Sequence, residues 1–110
     1  MKNELHYSPE SLQDLDGIWD YIVQDLGNVI AAENTVNNIL STIQPLEKHA
    51  EIGSPLSSVV RVDSDYRFLV SGHYVVFYRV VQTDIYIDRI LYGKRDILHI
   101  LFDDLSDSSL

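Results

Sequence analysis

The spacing of apolar residues changes once along this chain, and that change limits the folds open to it. From Leu12 to Leu46 they recur every three or four positions. From Tyr66 to Tyr92 they fall in β-branched and aromatic runs broken by short polar turns. The first spacing stacks side chains on one face of a helix; the second suits pleated strands. Helices gathered before strands, rather than alternating with them, predict an α+β domain in which helices cover one face of a sheet.

Local signals divide the two halves further. Residues 2–7 read as a short opening strand, and Ser8-Pro9-Glu10 is a helix start: a serine to cap free amides, a proline at the first helical position, an acid at the positive end of the dipole. Leu12, Leu15, Ile18, Trp19, Ile22 and Leu26 form the first stripe, with Asp14, Asp16, Asp20 and Asp25 largely off it. Gly27 is placed to end this helix and Asn28 to cap the next, whose stripe is Ala32, Val36, Ile39, Leu40, Ile43 and Leu46. Pro45 should kink or end it. So short a link predicts an antiparallel helical hairpin. Residues 47–65 read as a loop. Strands are expected at 66–71, 74–81 and 85–92, joined by turns at Gly72 and at 82–84 into an antiparallel meander with one face open. A short closing helix is expected over 96–105, and 106–110 should fray. The expected core is Leu12, Leu15, Trp19, Ile22, Val36, Ile39, Leu40 and Ile43 against Val76, Tyr78, Val80, Ile85 and Ile87. All of this describes one domain over residues 1–110.

Charge narrows the function. The formal net charge is −9, yet six of the eight basic residues (Arg61, Arg67, Arg79, Arg89, Lys94 and Arg95) lie between 59 and 96. So acidic a chain is repelled by nucleic-acid backbones at long range, so any phosphate chemistry is local to that segment. The absence of cysteine excludes disulfides and thiolate chemistry. No apolar run is long enough for a membrane span, and the opening MKNELHYSPE lacks a secretory core, so the expected compartment is the cytoplasm. His6, His49, His73 and His99 form no pair at helical spacing, and neither a glycine-rich phosphate loop nor a G-x-S-x-G string occurs. No metal and no cofactor are expected. Arginines interleaved with Tyr66, Tyr74, Tyr78, Tyr86 and Tyr92 suit phosphate contacts or a protein interface. They equally suit a solvated sheet in which Arg89 pairs with an aspartate.

Three strings then resemble one family. The stretch from Tyr7-Ser8-Pro9-Glu10-Ser11 to Ile18-Trp19-Asp20-Tyr21-Ile22 is similar to the opening strand and first helix of the RelE/ParE superfamily of toxins from type II toxin–antitoxin modules. Arg67-Phe68-Leu69, followed by Gly72-His73-Tyr74 and Tyr78-Arg79-Val80, looks like its strand pair. Ile85 to Tyr92, then Lys94-Arg95-Asp96, looks like its last strand and basic exit, where a histidine often stands at the place of Tyr92. The resemblance spans nearly the whole chain.

It implies a cognate antitoxin as partner, in a hetero-oligomer, and one of two activities. RelE-like members are ribosome-dependent mRNA endoribonucleases; here Arg67 and Arg95 would hold the phosphate and Tyr92 or His99 would move the proton. ParE-like members poison DNA gyrase; here Arg67, Arg89, Lys94 and Arg95 would be contact residues. Aligning on Tyr74 and Tyr78 puts Val75 where RelE-like enzymes carry an arginine, and their tyrosine beyond the last strand falls at Leu101. No lysine pair precedes Arg67. Valine and leucine neither stabilise a phosphorane nor move a proton, so the ParE-like reading is favoured. A diverged toxin kept mainly as the antitoxin's partner is the third reading.

Overall fold

The computed structural model describes residues 2–58 and 64–93. Strand β1 (Glu4–Tyr7) leads into α1 (Pro9–Asp20), which widens into a π-type turn over Tyr21–Asp25. Helix α2 (Val29–Ile43) ends in a 3-10 turn over Gln44–Glu47. A two-residue strand β2 (Ser54–Pro55) and a 3-10 turn over Leu56–Ser58 interrupt the expected loop. Then come β3 (Arg67–Ser71), β4 (Tyr74–Val81) and β5 (Asp84–Tyr92). The closing helix expected over 96–105 and the tail at 106–110 lie outside the described residues.

The predicted caps form. Ser8 accepts from the Ser11 amide at 3.0 Å and Asn28 from the Ala31 amide at 2.9 Å. Gly27 turns the chain at φ 64°, in the left-handed region that costs glycine little. Ser8 does more than cap, because its hydroxyl also donates to the Asp88 carbonyl at 2.8 Å and so ties the start of α1 to β5.

The sheet order is β1-β5-β4-β3-β2. The meander is antiparallel as expected, but β1 pairs with β5 in parallel, Glu4 opposite Asp84 and Tyr7 opposite Ile87. The sheet is therefore mixed: the meander crosses back over the sheet, and its last strand runs the same way as the first. A bulge lets Phe77 face Arg89 and Tyr78 face Ile87, leaving Asp88 as the extra residue. That extra residue is why Ile85, Ile87 and Ile90, spaced two and then three apart, all meet the helix-side core.

Both helices lie on one face, where Ile39, Ile43 and Leu46 bury against Val76, Tyr78, Ile85, Ile87 and Ile90. The expected helix stripe is only partly correct. Ile22, Ile39 and Ile43 are buried; Leu15, Trp19, Val36 and Leu40 are half-buried; Leu12 is 50% exposed. Helix α1 turns Ser11, wholly buried, toward the sheet, which places Leu12 about 100° around the axis from the inward face. The wide turn over Tyr21–Asp25 breaks the register further along, and Leu26 ends 62% exposed. The opposite face is not bare as expected. It carries a second cluster of Leu56, Val75, Phe77 and Leu91, edged by Tyr66 and Phe68.

Candidate functional site

The three sheet arginines in the described residues each have partners within the fold. Arg67 donates through Nη1 to the Gly53 carbonyl at 2.7 Å and, more distantly, to that of Glu51 at 3.4 Å. Arg79 donates to Asp88 Oδ2 at 2.8 Å and lies over the rings of Tyr66 and Tyr86. Arg89 grips Asp14 through two nitrogens, Nε to Oδ2 at 2.8 Å and Nη2 to Oδ1 at 3.0 Å. These carboxylate bonds raise the pKa of Arg79 and of Arg89 above arginine's usual value. Arg89 thus pairs with an aspartate, as the solvated-sheet reading expects, but one supplied by α1 rather than by a neighbouring strand.

Among the candidates for proton transfer, Tyr92 is described and His99 is not. Tyr92 is 60% exposed at the end of β5, edge-on to Tyr74 at 5.4 Å between centroids and 6.1 Å from His73. Burial, and then the nearby phenols of Tyr92 and Tyr21, raise the Tyr74 pKa. Tyr21, itself 55% exposed, lies near enough to add to that shift. Arg67 is elsewhere: it faces Tyr78, whereas Tyr92 faces Tyr74. Four residues of β4 separate those positions, roughly 13 Å of strand. The structure does not bring Arg67 and Tyr92 together. Lys94, Arg95, His99 and Leu101 lie outside the described residues. Val75 is 3% exposed in an apolar cluster with Leu56, Phe77 and Leu91.

The helices carry exposed apolar surface. Leu12, Leu26, Val29 and Ile30 are 50 to 71% exposed on α1, α2 and the turn between them. Helical spacing points Leu12 and Leu26 inward and leaves Val29 and Ile30 out of both stripes. The sequence signal for the latter two is an apolar pair directly after the Asn28 cap, ahead of the α2 stripe. Asp14 is a structural group that its spacing does not reveal, since it accepts from a strand residue 75 positions away.

Known proteins match this arrangement. Residues 5–97 match the family described as ParE toxin of type II toxin-antitoxin system, parDE. The chain is 37% identical over 67 residues to Toxin ParE1 of Caulobacter vibrioides, a match covering 61% of this chain and 66% of that relative's length. A solved structure described as the chromosomal ParDE TA system from P. aeruginosa superposes with a TM-score of 0.70 at 26% identity, covering 84% of this chain and 97% of the other. With a family match over most of its length and the same fold in a ParDE structure, the chain belongs to the ParE toxin family of type II toxin–antitoxin systems.

Proposed function

We propose that this protein acts by binding other proteins rather than by cutting RNA: a ParE-like toxin whose target is DNA gyrase and which a cognate antitoxin neutralises. The observation that carries this reading is Val75. A buried valine stands where, by the resemblance, a ribonuclease of the superfamily carries a cation on its sheet, and the described sheet arginines hold carboxylates and loop carbonyls of their own chain. The surfaces that remain are of the contact type. Leu12, Leu26, Val29 and Ile30 offer an apolar face for an antitoxin segment, and the edge strands β1 and β2, at opposite sides of the sheet, offer backbone groups for strand addition. Tyr74 and Tyr92, with Tyr21 nearby, make an aromatic surface of the kind enriched at interface hot spots, and Lys94 and Arg95 follow Tyr92 in the sequence.

Inducible expression, with and without the small protein encoded next to it, tests this reading. Expected are a stable complex on gel filtration, growth arrest relieved by the partner, and loss of gyrase supercoiling with no cleavage of ribosome-bound mRNA. Arg95→Ala should weaken gyrase binding by about 1–3 kcal/mol. Specific mRNA cuts by the wild-type chain, abolished in Arg95→Ala, establish the ribonuclease reading instead. A complex with the partner, but neither growth arrest nor gyrase binding, establishes the diverged reading.

A further inference from the structure

The parallel pairing of β1 with β5 assembles a group of side chains that no single element contains. Glu4 and His6 stand two residues apart, so they share one face of β1, and Asp84 is Glu4's partner across the ladder. His6 Nε2 lies 2.9 Å from Asp84 Oδ1 and 3.8 Å from Glu4 Oε2, and the three ligand atoms lie within 4.8 Å of one another. We propose that Glu4, His6 and Asp84 bind a divalent transition ion of the zinc class.

Three features support this. The first is donor chemistry. One imidazole with two carboxylates suits zinc and its neighbours, whereas calcium and magnesium prefer oxygen alone. The second is charge. Among the described residues, neither Glu4 nor Asp84 pairs with a lysine or an arginine; both turn to the same histidine, in a chain of net charge −9. His6 and Asp84 are within hydrogen-bond reach of one another, and the same two carboxylates and imidazole present three donors to a divalent ion whose charge would neutralise both carboxylates. The third is preorganisation. The His6 ring stacks on Tyr86 at 5.1 Å and 22°, which sets its plane, and the Glu4 amide donates to the Thr83 carbonyl at 2.8 Å, which fixes the strand beneath.

Tetrahedral zinc takes its ligands at about 2.0–2.2 Å, so they stand roughly 3.4 Å apart. Reaching that spacing requires His6 and Asp84 to part slightly and Glu4, whose side chain is 78% exposed, to swing inward. Three protein ligands leave a fourth position to water. Binding links β1 to β5 across most of the sequence, so it stabilises the folded chain by mass action. The inference does not depend on the toxin's target.

Calorimetric titration of the full chain with zinc chloride tests it. The wild type should bind a single ion and melt at a higher temperature with zinc present. His6→Ala and Asp84→Asn should each weaken binding at least about tenfold, while His49→Ala should stay within about twofold. In histidine-ring NMR of the unmutated chain, the His6 signals should move with zinc and those of His49 should hold. That measurement decides the matter should a variant fail to fold. No binding at millimolar zinc, unchanged affinity in His6→Ala, or movement of another histidine's signals overturns the proposal.

Discussion

Gly53 is the residue with the least latitude. Its amide donates to the Tyr78 hydroxyl at 3.0 Å, and that hydroxyl donates onward to the Ala50 carbonyl at 2.9 Å. Arg67 binds the Gly53 carbonyl from the other side. A Cβ here would stand 2.5 Å from the Tyr78 oxygen and 2.7 Å from the Phe68 carbonyl. Tyr78 is wholly buried and cannot retreat. Gly53→Ala should therefore destabilise by about 1–3 kcal/mol in denaturant melts. Gly17→Ala is the control: its Cβ meets nothing, and alanine favours the α1 interior by up to about 1 kcal/mol. Equal effects at the two positions would contradict the contact described at Gly53. In sequence Gly53 is one more loop glycine, because the side chain that confines it lies 25 residues away.

At the scale of elements, the junction of α1 with β5 holds the layers together. Strand β1 pairs only as far as Tyr7 with Ile87, so the rest of β5 exposes an edge on that side. Asp14 covers it, accepting from the Ile90 amide at 2.9 Å as well as from Arg89. The Asp14 side chain is 13% exposed and that of Arg89 30%. The charge is therefore partly screened, and the full cost of a broken buried pair does not apply. Asp14→Ala should cost about 1–3 kcal/mol and speed hydrogen exchange at the Ile90 amide. Unchanged exchange there would show that the edge is closed by something else. The helix caps were legible in the sequence because each is settled within four residues. The Asp14 contact was not, since an acid off the apolar stripe looks the same whether water or a strand edge receives it.

Across the whole molecule, burial raises the pKa of Tyr7, Tyr66, Tyr74 and Tyr78, each by desolvation first. Asp88 adds to the shift at Tyr66, and the amide of Gly53 opposes it at Tyr78. A raised phenol favours the protonated, folded state. Its contribution is complete below the unfolded value of about 10 and is lost as pH rises through the folded value. Stability should hold from neutral pH to about 10 and fall beyond it, with tyrosinate absorbance rising in step with unfolding. Melts between pH 8 and 11 check this, and Tyr78→Phe should flatten the alkaline fall. A flat profile would show these phenols to be exposed.

The α+β class, the two caps, the glycine stop, the meander and the family are legible in the chain alone, because each rests on short strings of neighbouring residues. The sequence also places Ile39 and Ile43 in the core because a helical stripe is a local pattern. Only the tertiary structure decided that β1 runs parallel to β5, since strand direction follows from how the whole chain crosses the sheet. It decided that Leu12 and Leu26 face outward, because the wide turn after Asp20 and the tie from Ser8 to Asp88 set the rotation of α1. It decided too that Arg89 closes on Asp14 and that His6 meets Asp84. Partners 75 and 78 residues apart share no local signal, and only the packed sheet brings their side chains into reach.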